Sequence, residues 1–367
     1  MKRYFLACAL TSIASLLPLL SPAAMAQDGF SSAARPMIVT LPNHRNVAPP
    51  HRGSPLPQWY GTFTDLKADR ISFTMVGADP AATNATTSVA VLLIPLKMVY
   101  GPKNGDIVLD PLTHVLANGS TVVQSTVQSP IFVAGIDYVQ DGTDLGTTQY
   151  EDAFQRGNFW SSVSTNTNYH ILLGGPAILP EQSIRVSSSE GKLIENPLGK
   201  GRVGTMNINA FDDQLQKIMA KMKRVKPGVL PLFLTYDVYL TGTGGCCIGG
   251  YHSADGPQPT GLTYAYATYV DPEGKYAQDV SVLSSVLGGW LDDPFVDNET
   301  GCTPALLEVG YPLENAKNYG TYPYVLNGST YNLQSLVFLG YFGAPQNNSV
   351  NSWLSFQNDE THVCPGQ

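Results

Sequence analysis

Residues 278–294, QDVSVLSSVLGGWLDDP, admit few local structures. Val280, Leu283, Leu287, Trp290 and Leu291 recur at helical spacing and form one apolar face. Asp279 stands where an N-cap carboxylate would accept from first-turn amides, and Pro294 ends the run. The opposite face carries Ser285, Gly288, Gly289 and Asp292. Two consecutive glycines inside a helix cost about 1 kcal/mol each relative to alanine. They imply either close backbone approach or a site whose side chains have gone. The preceding run, 262–270 (LTYAYATYV), alternates as a strand, with Tyr264 and Tyr266 on one face and Ala265 and Ala267 on the other. The small alanines invite close packing by a helix, and the next helix is the one over 279–291.

The same stretch resembles the metal-binding helix of a family of secreted bacterial metallopeptidase-like proteins, which reads roughly L-S-H-E-x-x-E-W-x-x-D-P. Leu283, Ser284, Trp290, Asp293 and Pro294 match that pattern. Its His falls on Ser285, the following Glu on Val286 and the second Glu on Gly289. Further similar segments are 148–160 (TQYEDAFQRGNFW), 244–254 (GGCCIGGYHSA) and 306–313 (LLEVGYPL), the last with Tyr311 where the family pattern has an acid. The resemblance covers roughly residues 142–364. It implies a zincin-like order of strand and then metal helix, here in a degenerate member lacking the metal ligands.

The chemistry shows what those replacements remove. Residues i and i+4 share a helical face, so His at 285 and Glu at 289 could hold one zinc ion. Glu at 286 could serve as general base on the metal-bound water. Val286 has no lone pair, Gly289 no side chain, and the Ser285 hydroxyl is a poor zinc ligand. Zinc hydrolysis at these positions is therefore not expected, and neither is a metal or other cofactor. A buried amphipathic helix with no metal history is the alternative.

The N-terminus has the layout of a secretory signal over 1–26. Lys2 and Arg3 precede an apolar core, and Ala24-Met25-Ala26 forms the cleavage site. No later run has membrane-spanning length, and the most apolar, 89–100, contains Pro95 and Lys97. The expected location is therefore secreted or periplasmic, without a membrane anchor. Without the signal, 19 Lys and Arg face 29 Asp and Glu, a net charge near −10. That balance argues against nucleic acid or an anionic membrane as partner. Four cysteines remain: Cys246, Cys247, Cys302 and Cys364. In an oxidising compartment an even number implies disulfides. A bridge between the neighbours Cys246 and Cys247 reads as strained, so Cys302 and Cys364 are each expected to bridge to one of that pair.

Residues 27–58 are rich in Pro, Ala and Ser and read as a low-order lead-in. A globular α+β region follows over 59–367, β-rich with a few helices. It divides into two candidate lobes, about 59–200 and a zincin-like 201–367. Strand patterns occur at 70–76, 88–99, 120–128, 131–138, 169–173 and 229–240. Thr148 with Glu151 suggests a capping box for a helix over 149–160. Phe211, Leu215, Ile218, Met219 and Met222 form the stripe of a second helix, with Asn209 as cap and Pro227 as stop.

No two of the six histidines share metal-ligand spacing. His252, with Tyr264 and Tyr266, is the candidate lining of a cleft beside Ser285 and Gly289. Asp292, Asp293 and Asp297 could suggest a hard-cation site, but acids at a helix end more often terminate and solvate it. Glu151, Asp152, Glu308 and Glu314 are glycosidase candidates only in being acids. The 19 tyrosines suit a surface for peptide or glycan. The leading reading is a catalytically inactive secreted metallopeptidase-like protein that acts by binding. Its competitors are a secreted hydrolase with active residues elsewhere and a structural β-rich surface protein.

Overall fold

The computed structural model describes residues 37–101, 105–270, 279–302, 305–313, 321–359 and 362–364, and these fall in one unit. The expected signal over 1–26 lies outside them, as does Glu314. The lead-in is more ordered than its composition implies. From Met37 it contributes β1 (Met37–Thr40), which joins the main sheet, and its backbone continues beside that sheet through His44. A hairpin of β2 (Gln58–Thr64) and β3 (Arg70–Val76) comes next. β4 (Thr86–Tyr100) follows, buried at every residue from Val91 to Leu96. Such an unbroken apolar run suits a strand covered on both faces.

Short elements lead on from there: β5 (Ile107–Leu109), α1 (Val122–Val127), and a hairpin of β6 (Ile136–Gln140) and β7 (Thr143–Thr148). Then come α2 (Tyr150–Asn158) and α3 (Trp160–Val163), and the strands β8 (His170–Leu173), β9 (Ala177–Ile178), β10 (Gln182–Arg185), β11 (Gly191–Glu195) and β12 (Arg202–Asn207). The rest comprises α4 (Ile208–Met219), β13 (Val229–Tyr236), β14 (Val238–Gly242), β15 (Gly245–Asp255), β16 (Leu262–Tyr269), α5 (Ser281–Asp292), β17 (Thr321–Leu326) and β18 (Ser329–Gln334).

The class is mixed α+β and strand-dominated, with a sheet curled into a half barrel. Twelve strands share that sheet, in the main order β10-β4-β13-β16-β15-β14-β12-β11. β10, β4, β13 and β16 run parallel, whereas β15 is antiparallel to both β16 and β14. Because β4 pairs with β13, the sheet spans both candidate lobes. Alternation decides the two cores. Tyr264 and Tyr266 join Leu92, Ile94 and the Phe211–Leu215–Met219 stripe of α4 on one face. Ala265 and Ala267 join Val91, Leu93 and the apolar residues of α5 on the other.

Several local expectations are corrected. Four of residues 122–127 are β-branched, yet the segment is helical, because Thr121 and Gln124 close a reciprocal capping box that outweighs side-chain propensity. Of 131–138 only the end, from Ile136, is strand. The run 229–240 is two strands, broken at Asp237, whose φ of 50° suits a short polar side chain. α4 is capped by Asn207 rather than Asn209. Thr148 does not cap α2; its hydroxyl donates to Asp152 instead.

The disulfide connectivity is also corrected: Cys246 bridges to Cys247, and Cys302 to Cys364. Cys302 and Cys364 both belong to the core on the α5 side, 5.7 Å apart at Cα, whereas the vicinal pair lies in the β14–β15 hairpin. Two disulfides suit an oxidising compartment. No helix among the described residues is long and apolar enough to cross a membrane.

Candidate functional site

α5 forms where its periodicity places it, beginning slightly later than its acid suggests. Asp279 is not the cap: its carboxylate accepts from Val280 N and from Asn332 of β18, tying the helix start to that hairpin. The helix lies on β16 and β15, with β18, β3 and α2 around its remaining sides. Every residue of it is buried, the polar side included. Trp290 donates its indole N–H to Thr263 Oγ1 at 3.0 Å, and Gln334 N donates to Ser284 Oγ at 2.8 Å. Close approach explains two glycines. A Cβ on Gly250 of β15 would meet Val286 Cγ2 at 2.7 Å, and one on Gly288 would meet Leu336 Cδ1 at 2.5 Å.

Gly289 has a different neighbourhood. A Cβ there would lie 2.5 Å from Glu308 Oε2 and 3.2 Å from His252 Nε2. Those two side chains bond each other, His252 Nε2 to Glu308 Oε1 at 3.0 Å, and His252 is wholly buried. One turn earlier, Ser285 Oγ sits over the backbone of Gly310, where an added Cβ would be 1.9 Å away. The structure therefore brings Ser285, Gly289 and His252 together, as packed interior in place of the expected cleft. Tyr264 and Tyr266 are not part of it. His252 pairs in register with Ala265, and the two tyrosines point to the opposite core. Val286 faces Gly250, and Tyr311 stands 43% exposed at the start of a 3-10 turn, Tyr311–Leu313.

The acids around the end of α5 are buried, which corrects the expectation that they are solvated there. Asp292 and Asp293 are fully buried, and Glu151 of α2 lies near Asp292 with both carboxyl oxygens lacking a hydrogen bond among the described residues. Gln155 Nε2 donates to Asp292 Oδ1. Burial pushes the Glu151 carboxyl well up, and the nearby Asp292 charge adds to it. Burial likewise raises Asp292 well above the ordinary range; the Gln155 bond opposes that, and Glu308 and Asp293 add to it. Asp293 is pushed up to about 7 by burial and by Glu308, despite amides donated by Asp297 and Asn298. For His252, burial disfavours the charged form, but Glu308 and then Asp293 outweigh it and raise the imidazole. The Asp297 side chain, in contrast to its amide, is engaged elsewhere and accepts from Gln258.

Zinc does not fit this arrangement. Ser285, Val286 and Gly289 supply no strong ligand, and the two groups that could, His252 and Glu308, are bonded to each other. Among the described residues no three His, Cys, Asp or Glu side chains are grouped as a metal ion would require. Glu308 carries more of this site than its place in the sequence suggests; an acid between Leu306–Leu307 and Val309 is its only signal there. Three other histidines serve elsewhere. His44 Nδ1 lies 2.9 Å from Asp255 Oδ1, His170 Nδ1 lies 2.7 Å from Asp152 Oδ2, and His114 stacks on Tyr236. Comparison with protein families, with curated proteins and with solved structures finds no match.

Proposed function

We propose that this chain is a secreted, zincin-like protein whose metal helix has given up its metal, and that it acts by binding rather than by hydrolysis. One observation carries the reading. Of the four sequence segments that resemble the metallopeptidase-like family, three converge on the fourth, one of them from more than 100 residues earlier in the chain. α2 brings Glu151 and Gln155 to Asp292, β15 brings His252 to Gly289, and 306–313 brings Glu308 and Gly310 to Gly289 and Ser285. The His252–Glu308 pair thus meets the helix at Gly289, the position where the family pattern has its second Glu. The His252–Glu308 pair occupies the space a side chain at 289 would take. Val286 fills the place of a general base with an apolar contact to β15, so no water-activating group remains there.

Elemental analysis of the purified mature protein is the test. Less than about one zinc in ten chains after mild chelation is expected, with no peptidase activity restored by added zinc. Stoichiometric zinc retained through chelation refutes the reading.

A further inference from the structure

We propose that the cavity between the β2–β3 hairpin and the α2–α3 junction binds a small quaternary ammonium cation of the choline class. The cavity shares no lining residue with the surroundings of α5, so the inference stands apart from the metal-free reading. Alternation builds it. Trp59, Gly61 and Phe63 share one face of β2, and Phe73 lies opposite Gly61 on β3. A Cβ on Gly61 would lie 2.3 Å from Phe73 Cζ and 2.8 Å from Trp59 Cζ3, so glycine is what lets both rings lie across the strand. Phe159, where α2 gives way to α3, completes the aromatic wall. The Trp59 ring meets Phe73 at 87° and Phe159 at 74°, with centroids 5.3 and 5.4 Å apart. Rings set edge to face leave ring faces uncovered that stacked rings would hide.

Size and charge select the ligand. The cavity has a volume of about 140 Å³, close to that of an apolar cavity holding one benzene-sized guest. It therefore takes a headgroup and not a chain. Aromatic faces carry negative potential and attract a cation, most strongly where water is excluded. Asp79, half-buried just beyond β3, lines the same cavity. Its Oδ1 accepts from Ala81 N at 2.9 Å, which fixes the carboxylate, and among the described residues no Lys, Arg or His pairs with it. Rings and carboxylate together favour a cation over a neutral guest. A primary ammonium would give up hydrogen bonds to water that the rings cannot replace. A trimethylammonium has no N–H to satisfy and presents methyl groups to the rings. Thr62, Ser161 and Asn348 are exposed where the cavity opens and can bond a hydroxyl at the far end of such a ligand. Asp79 repels a ligand in which a phosphodiester follows the ammonium.

Calorimetric titration of the purified protein with choline and tetramethylammonium tests this. Three compounds serve as comparisons. Dimethylbutanol, the neutral carbon isostere of choline, keeps the shape without the charge; ethanolamine keeps the charge without the methyl groups; glycerophosphocholine adds the phosphodiester. Choline and tetramethylammonium are expected to bind with a Kd of about 1 mM or below, and each comparison compound about tenfold more weakly or not at all. Asp79→Asn keeps an acceptor for Ala81 N and removes the charge. It should weaken choline about fivefold and narrow its advantage over glycerophosphocholine, with thermal unfolding unchanged. Trp59→Leu removes the ring that Phe73 and Phe159 both meet and should weaken choline about tenfold or more. If the Leu variant does not fold, Asp79→Asn and the isostere decide. Choline bound no more tightly than dimethylbutanol, wild-type affinity in Asp79→Asn, or tighter binding of ethanolamine or glycerophosphocholine overturns the proposal. So does the absence of choline binding at about ten times the expected Kd.

Discussion

Replacing Glu151 with Gln should stabilise this protein, and the gain should depend on pH in a way that identifies its cause. Glu151 is fully buried, no described group donates to either carboxyl oxygen, and Asp292 is the charge that acts on it. Burial raises its pKa well above the ordinary 4.5, so as pH rises the folded chain keeps this proton after the unfolded chain has lost it. In the unfolded chain it ionises normally. Keeping an ordinary carboxyl protonated costs about 1.4 kcal/mol for each pH unit above its unfolded value, up to the folded one. The native state binds the extra proton, so stability is greatest below the unfolded value and declines as pH rises toward the folded one. Gln at 151 carries no such cost and keeps an amide in place of the protonated acid. E151Q should therefore gain almost nothing at pH 4.5, and about 1.4 kcal/mol for each pH unit above that until the folded-state value is reached. Guanidinium unfolding from pH 4.5 to 8, disulfides intact, reads this dependence. An increment that does not vary with pH, or a loss at pH 7, would mean Glu151 is ionised and paired, and the reasoning would fail.

Two further outcomes follow from packing and connectivity. The Cys302–Cys364 bridge closes a loop of 62 residues, so removing both cysteines should cost about 4 kcal/mol, whereas removing Cys246 and Cys247, which close no loop, should cost far less; non-reducing peptide mapping and denaturant unfolding check both halves. Gly250→Ala would place a Cβ 2.8 Å from Tyr266 O and from Val282 Cγ1 as well as against Val286, lifting α5 off β15 at a cost of about 1–3 kcal/mol by thermal unfolding.

α5 and its neighbouring strand are legible in the sequence because both rest on local periodicity. Val280, Leu283, Leu287, Trp290 and Leu291 repeat at helical spacing, and Tyr264–Ala267 alternates so strictly that the alternation alone assigns its residues to two opposite cores. Legibility fails where local signals compete. Residues 122–127 combine strand-forming side chains with a helix-capping pair, and the pair decides. Met37–Thr40 lies in a Pro-rich stretch with little periodicity, and its strand exists because β15 offers an edge to pair with. The cysteine pairing is illegible for another reason: compartment and chain spacing do not say which cysteines share a core.

The polar face of α5 is the least legible part, for a reason that reaches the function. An amphipathic stripe shows which face is buried first; it does not show that the other face stays open. Here α2, β18 and the 305–313 segment close over the second face, and small residues make that possible. Gly288 admits Leu336, Ser284 accepts from Gln334 N, and Ser285 lies against Gly310. Residues that would expose a ligand on an open helix are thus also those that let neighbours seal a covered one. The positions are unequal on this account. A side chain at 289 meets the far end of the Glu308 side chain, which can swing aside, while a larger one at 285 presses on the Gly310 backbone, which cannot without moving the segment that carries Glu308. The serine at 285 is therefore the residue the packing holds small, and the glycine at 289 the one with a movable side chain, Glu308, beside it.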